Sequence, residues 1–310
     1  MCMSREELAL ALLRIAEQDL EASKLLFEHG LYPQAIFYAQ QCCEKAYKAF
    51  LVFIGLANKS DLRHSISHYP FSKGLQFLVN RSIEELRELM KEHGIDEKSF
   101  EKLMEPYLRF LQLPSLTNFI DNLVKEVKNL VGKAVGELSV KKLCSPITKD
   151  LEKQIDEIIS IVASSAFNVE IFLESIMLGS IISELSRHLH VNLARLGEKL
   201  DKVLWRISGL LFLAEAALYI FLIASMFLER FAEATRYPSK IDPSKDIKHN
   251  SIITKIAKDF INFVERAKTL RYMYELISGD IRNENLRKVL EIRKELIKTQ
   301  IKLHIKTNKL

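Results

Sequence analysis

Residues 16–55 read AEQDLEASKLLFEHGLYPQAIFYAQQCCEKAYKAFLVFIG. Gly30 and Pro33 separate two segments in which apolar side chains recur every three or four residues. Glycine favours the residue just after a helix, and proline is tolerated in the first turn of the next one. We therefore predict two helices joined by a short turn, which form an antiparallel hairpin.

The first of these helices begins upstream of the quoted stretch. Ser4 and Glu7 have the spacing of a capping box, which predicts a helix that starts at residue 4 and runs to Gly30. Small or apolar residues repeat along the second helix at steps of four and three: Ala35, Ala39, Cys42, Ala46, Ala49 and Phe53. Small side chains at these positions favour a close approach between helices.

The composition favours a folded, helical protein. Of 310 residues, 48% are hydrophobic and 27% are charged, a balance that favours a folded core over a disordered chain. Ten glycines and seven prolines leave few places at which helices can break. Many lysines, glutamates and isoleucines with few glycines would also suit a thermophile. The predicted fold class is all-α.

Cysteine and histidine positions predict neither a metal site nor a cofactor. Cys2, Cys42, Cys43 and Cys144 lack paired ligand spacing, and His188 and His190 are two residues apart, which does not bring both to one metal on a helix. Sparse cysteines and the lack of a secretion signal predict a cytoplasmic protein.

One apolar window is long enough to be weighed as a membrane span. Ser208 to Leu228 contains Glu215 as its only charge. A mid-window carboxylate and the lack of a second span favour a buried core helix, so no membrane contact is predicted, with a membrane helix as the alternative.

The hairpin is similar to the opening of HEPN domains. The shared elements are an Asp-Leu pair, a Gly-x-Tyr turn and a polar motif on the second helix, here Asp19, Leu20, Gly30, Tyr32, Ala39, Gln40, Gln41, Glu44, Lys45, Ala46, Lys48 and Ala49. Family members continue with a His-Ser-Ile element, as at His64, and many have a later Arg-Tyr-Pro turn, as at Arg236.

The resemblance implies a HEPN-like helical bundle with a long helical insertion, because about 170 residues separate His64 from Arg236. The implied organisation is an N-terminal HEPN part at 1–94, an insertion at 95–210, a C-terminal HEPN part at 211–280 and a basic C-terminal helix at 281–310. All four segments would form a single helical unit.

Some HEPN proteins are metal-independent endoribonucleases that use an arginine, a polar residue, a spacer and a histidine. Arg63, His64 and His68 have this spacing. In such a site, histidine exchanges a proton with the ribose and arginine stabilises the charged phosphorus centre. In the ribonuclease members, however, the motif begins the last core helix, where this chain has Arg282 and, in place of histidine, Arg287.

The polar motif of the second helix has two interpretations. Gln41, Lys45 and Lys48 would lie on a solvated face with a Glu44–Lys48 salt bridge, which is the favoured interpretation, or they would bind a nucleotide phosphate or a partner. Arg236 and Tyr237 form a second candidate ligand site, because arginine offers bidentate donors and tyrosine a stacking face. The favoured alternative is a structural role for Tyr237 and Pro238 in the turn.

The leading functional hypothesis is a nucleotide- or RNA-binding HEPN protein. The resemblance implies a homodimer and a partner such as a minimal nucleotidyltransferase in a toxin–antitoxin pair. From Ile241 onward, sixteen Lys or Arg stand against nine Asp or Glu, which would favour RNA phosphates. The alternatives are a metal-independent endoribonuclease that uses Arg63 and His68, and a helical interaction scaffold.

Overall fold

The first helix of the chain, α1 (Arg5–Glu28), starts and stops at the predicted signals. A computed structural model describes residues 3–74, 139–146, 148–150, 223–235 and 241–282, with Phe221 and scattered positions within 76–157 and 284–295. Ser4 Oγ accepts from Glu7 N at 3.1 Å, and Ser4 N donates to Glu7 Oε2 at 2.7 Å, so the capping box is confirmed. Gly30 has φ +73°, which glycine adopts without strain.

The second helix, α2 (Tyr32–Phe53), is the centre of the described fold. Pro33 lies in its first turn, as predicted. The small residues Ala35, Ala39, Cys42, Ala46 and Ala49 are fully buried. Ser23 on α1 donates from its hydroxyl to the carbonyl of Ala35 at 2.7 Å, which joins the two helices of the hairpin.

Short irregular helices follow the hairpin. Asn58 caps α3 (Lys59–Asp61), after which the chain forms two π-helical turns at Leu62–Ile66 and Pro70–Gly74. Ile66, Pro70 and Phe71 are buried, so these turns pack into the core while the residues between them reach the surface.

Six further helices from much later in the chain belong to the described fold. They are α4 (Val140–Leu143), α5 (Ile223–Leu228), α6 (Phe231–Ala234), α7 (Pro243–Asp246), α8 (Ile252–Ala267) and α9 (Thr269–Ser278). Helices α5, α6 and α8 pack against α2, and α9 packs against α1. Lys24 on α1 also pairs with Glu265 on α8 at 2.6 Å.

A segment near residue 143 is fixed to the start of α8. Leu143 is fully buried, Ile252 N donates to the carbonyl of Ser145 at 3.1 Å, and Pro146 and Ser251 form an isolated antiparallel bridge. Residues within the proposed insertion therefore contribute to the same core as α2.

The all-α prediction is confirmed, because the described residues are helical with no strand beyond that one bridge. Most of the apolar window 208–228 lies outside the described residues, and its described end is buried at Ala224, Met226, Phe227 and Leu228. Within the part of the chain that the structure describes, no helix combines the length and apolar character of a membrane crossing. The turn at 236–238 also lies outside the described residues.

Candidate functional site

The polar motif of α2 is buried, which corrects the prediction of a solvated face. Gln40 is 0%, Gln41 9%, Glu44 4% and Lys48 9% exposed. The predicted Glu44–Lys48 pair does form, but it lies inside the protein, on a helix against which α1, α5, α6 and α8 pack. Buried polar groups need internal partners, and these residues supply them to one another.

One end of this network is an ion pair between the two helices of the hairpin. Lys45 Nζ lies 2.6 Å from Asp19 Oδ2 and donates to Gln41 Oε1 at 2.9 Å. Burial raises the pKa of Asp19, and the nearby Lys45 ammonium opposes that rise without cancelling it. The pair fixes α1 to α2 and passes a hydrogen bond on to Gln41.

Glu44 is the centre of the network. Lys48 Nζ donates to Glu44 Oε1 at 2.8 Å, and the amide nitrogens of Gln41 and Gln40 lie 3.2 and 3.4 Å from Oε2. Burial alone would raise the pKa of Glu44, but the ammonium of Lys48 and the ring of His68 outweigh it and hold that pKa below its ordinary value. Glu44 is therefore a buried, ionised carboxylate.

His68 carries the network to the surface. Its Nδ1 lies 3.1 Å from Glu44 Oε2 and 3.2 Å from Oε1, while its side chain is 53% exposed. Its carbonyl accepts from Gln40 Nε2 at 3.2 Å. The preceding residue, Ser67, has φ +52° and ψ −129°, a conformation that costs a non-glycine residue energy and persists only when its surroundings impose it.

The structure brings together some of the predicted site residues. Glu44 joins His68 to Lys48 and Gln41, and Gln41 joins them to Lys45. Lys45 and Lys48 each neutralise a carboxylate inside the protein, so their ammonium groups already have partners. Their role in ligand binding stays a prediction.

Arg63 and His64 lie on the π-helical turn Leu62–Ile66 and are exposed. They belong to the same short segment as His68, between the buried residues Leu62 and Pro70. Their catalytic role stays a prediction. Arg236 and Tyr237 lie outside the described residues.

The sequence interpretation missed Glu229. Its side chain is 5% exposed, and its Oε2 accepts from Phe71 N at 3.0 Å and Ser72 N at 3.3 Å. Burial raises the pKa of Glu229 to about 7, although these hydrogen bonds and the neighbouring Arg230 act against the rise. The sequence does contain a signal. Glu229 and Arg230 are the only charged residues in the mostly apolar segment IASMFLERF, residues 223–231.

Thiols and metal ligands offer no competing site in the described ranges. Cys42 and Cys43 are fully buried, and burial raises the pKa of both thiols, so they are poor nucleophiles. Among the described residues, no three His, Cys, Asp or Glu side chains are grouped so that they could hold a metal ion.

Comparison with known proteins agrees with the resemblance seen in α1 and α2. The model of the HEPN domain matches residues 9–107. We call residues 9–107 the HEPN-type region because they match this family model. It contains Asp19, the polar motif of α2 and the segment from Arg63 to His68.

A relative from Methanocaldococcus jannaschii has the name "Putative toxin MJ1304". It is 42% identical over 52 residues, which are 17% of this chain and 32% of the relative. The chain thus matches about a third of that protein's length. No solved structure matches the chain.

Proposed function

We propose that this is a toxin-like HEPN protein that acts on RNA, with His68 as the residue that transfers a proton during metal-independent cleavage. The observation that carries the proposal is the His68 ring, which is held by Glu44 at Nδ1 but remains half exposed. A histidine whose only task was to fill the core would not place half of its side chain in solvent. The relative named as a toxin supports the toxin-like part of the proposal.

The proposed reaction is an internal transfer at the RNA phosphate. His68 takes the proton of the ribose 2′-hydroxyl, and the oxygen attacks the adjacent phosphorus. The bond from phosphorus to the 5′-oxygen of the next nucleotide breaks, and His64 supplies the proton that this oxygen takes up. The products are a 2′,3′-cyclic phosphate and a 5′-hydroxyl end.

Arg63 is the proposed source of positive charge at the phosphate. It is exposed on the same short segment as His64, so its guanidinium is accessible to a bound nucleic acid. Donors directed at the charge that develops on phosphorus stabilise the transition state more than the ground state. Arg63→Ala is therefore expected to lower kcat more than it raises KM.

The test is incubation of the full chain with structured RNA in the presence of a chelator. We expect fragments with 2′,3′-cyclic phosphate and 5′-hydroxyl ends, and a loss of at least about a hundredfold in rate for His68→Ala. His29→Ala is the matched control, because His29 is also exposed but lies in the turn between α1 and α2. Absence of cleavage, or equal activity in His68→Ala and the native protein, would overturn the proposal.

RNA binding itself is supported by the excess of basic residues after Ile241. Retention of RNA is expected to weaken as salt rises, because bound lysines and arginines release counterions from the phosphates. Changing Lys298, Lys302 and Lys306 together to Ala is expected to reduce the salt dependence. RNA that is not retained at low salt would remove this part of the proposal.

A partner completes the proposed function. The relative named as a toxin supports a partner of the toxin–antitoxin kind. We propose that this partner is a minimal nucleotidyltransferase and that the chain acts as a homodimer in the cytoplasm. Light scattering would measure the oligomeric state, and co-expression with such a nucleotidyltransferase should yield a complex that no longer cleaves RNA. A monomer that does not bind the nucleotidyltransferase would contradict this part of the proposal.

A further inference from the structure

We infer that Glu44 is a positioning residue that fixes the proton of the neutral His68 ring on Nδ1 and so makes Nε2 the atom that accepts a proton. The inference rests on the proposed function for its catalytic meaning. Its structural content, the position of one proton, can be measured without RNA.

Glu44 can only accept hydrogen bonds from His68. Its carboxylate is buried, and Lys48 donates to Oε1 at 2.8 Å, which keeps the group ionised. Both carboxylate oxygens lie 3.1–3.2 Å from His68 Nδ1. An ionised carboxylate has no proton to give, so Nδ1 must carry the hydrogen of this contact.

The two nitrogens of the neutral His68 ring therefore differ. A neutral imidazole that carries its proton on Nδ1 has a lone pair on Nε2. Nε2 is on the side of the ring away from the atom that Glu44 holds. The buried end of the ring is thus bonded to the protein and the opposite nitrogen is the basic one.

The backbone of His68 is held by the network as well as its ring. Gln40 Nε2 donates to the carbonyl of His68, and Gln41 Nε2 donates to Gln40 Oε1 at 2.6 Å. The strained conformation of Ser67 shows that these contacts determine the chain path just before His68. The network therefore places both the main chain and the side chain of His68.

The buried network contains as many ammonium groups as carboxylates. Asp19 is paired with Lys45, and Glu44 with Lys48, so the buried carboxylates and ammonium groups cancel. When Nε2 accepts a proton, the ring becomes cationic with Glu44 directly beside it. Glu44 thus stabilises the product of the proton transfer as well as the starting geometry.

The decisive measurement is the nitrogen-15 NMR spectrum of the histidine side chains in the full chain, recorded as the pH is raised until the ring signals no longer change and the imidazoles are neutral. We expect His68 to show a protonated Nδ1 and an unprotonated Nε2. The signal is assigned by its loss in His68→Ala, and exposed His64 is the internal reference. A protonated Nε2 with a bare Nδ1 at His68 in the native protein would overturn the inference, whether or not RNA is cleaved.

Two variants sharpen the test. Glu44→Gln is expected to mix the two protonated forms of His68, since an amide can both donate and accept, while Glu44→Asp should retain the Nδ1 form in part. In the cleavage assay Glu44→Gln should lower kcat at least about tenfold with little change in KM, and Glu44→Asp should recover part of that loss. Equal kcat values for the native protein and Glu44→Gln would overturn the positioning role.

The outcomes separate the inference from the proposed function. A correct Nδ1 proton in a protein that does not cleave RNA removes the ribonuclease and leaves Glu44 as the residue that orients the ring. Should Glu44→Gln not fold, the native spectrum and Glu44→Asp decide the question.

Discussion

Two glutamates of this protein are equally buried and yet have opposite pKa shifts. Glu44 is 4% exposed and Glu229 is 5% exposed. The pKa of Glu44 lies below its ordinary value because Lys48 and His68 outweigh the effect of burial, whereas burial raises that of Glu229 to about 7. Glu229 accepts hydrogen bonds from two backbone N–H groups and from the Ser72 side chain, and the neighbouring Arg230 lowers its pKa by less than burial raises it. An ammonium partner, rather than the degree of burial, therefore decides which carboxylate stays charged.

Both carboxylates hold the same loop. Glu44 reaches it from α2 through His68, and Glu229 reaches it from the junction of α5 and α6 through Phe71 and Ser72. The first contact involves a charge pair from the HEPN-type region, and the second joins that region to a segment about 158 residues away. The loop that carries the proposed catalytic histidine is thus fixed by two contacts of different electrostatic character.

The largest effect is expected when Glu44 loses its ammonium partner, so that burial dominates its pKa as it does for Glu229. Lys48→Met removes the ammonium and leaves a buried charge, which should lower the free energy of unfolding by about 3–5 kcal/mol at pH 8. Native Glu44 has a lowered pKa, so its contribution to stability is present above 4.5 and lost as pH falls below that value. In Lys48→Met burial should instead raise the pKa of the Glu44 carboxyl, so the deficit should be smaller at pH 5 than at pH 8.

Urea unfolding at pH 5 and pH 8 measures this effect. Lys24→Met is the matched control, because Lys24 forms a pair of similar length with Glu265 that is open to solvent. That variant should leave the free energy of unfolding almost unchanged. If both variants lost the same free energy of unfolding, the burial of the Glu44–Lys48 pair would not explain its effect on stability.

The second prediction concerns Glu229 alone. Its folded-state pKa of about 7 exceeds the ordinary 4.5, so the folded protein holds the proton more tightly than the unfolded chain. This contribution to stability is complete below 4.5 and is lost as pH rises to 7, to a total of about 3 kcal/mol at most. Glu229→Gln cannot ionise, and should therefore be more stable than the native protein at pH 8 and similar at pH 4.5.

Unfolding free energies between pH 4.5 and 8 would show this as a difference in slope. Glu28→Gln, at an exposed position on α1, should keep the native slope. A native slope in Glu229→Gln would show that Glu229 does not titrate in this range.

A smaller effect is expected at the strained residue between the two contacts. Ser67→Gly should stabilise the protein by up to about 1 kcal/mol, because glycine adopts φ +52° without steric cost. Ser65→Gly, in the π-helical turn just before it, should destabilise by a similar amount since the added freedom brings no relief. Thermal unfolding of both variants would decide; a loss of stability in Ser67→Gly would mean that its hydroxyl matters more than its backbone.

The smallest expected effect is the coupling between the two contacts. If Glu44 and Glu229 hold one loop, the effects of His68→Ala and Glu229→Gln on the free energy of unfolding should differ from additivity by about 0.5 kcal/mol or more. A double-mutant cycle measures this. Simple addition would mean that His68 and the Pro70–Gly74 turn move independently.

The hairpin could be predicted because its signals are local. Ser4 with Glu7, Gly30 and Pro33 act within a few residues, and the structure confirms each of them. The burial of Gln41 and Lys48 could not be predicted in this way, because three of the helices that pack against α2 begin more than 150 residues later in the chain. A helix with polar groups every four residues looks solvated unless those distant neighbours are known.

Glu229 illustrates the same limit from the other direction. Its position in an apolar run indicates a buried carboxylate, but its partners are backbone groups of Phe71 and Ser72, which have no signature in sequence. The contact of His68 with Glu44 was equally hidden, since 24 residues separate them.

The burial of most of α2 also affects how the protein is made. Its covering helices α5, α6 and α8 leave the ribosome roughly ten seconds or more after the hairpin, at about 5–20 residues per second. During that interval the nascent hairpin exposes Phe50, Leu51 and Val52 together with the ion pairs that later become internal. We expect chaperones to bind this unfinished part of the fold, and we expect the proposed active loop to assemble only after α5, α6 and α8 have been synthesised.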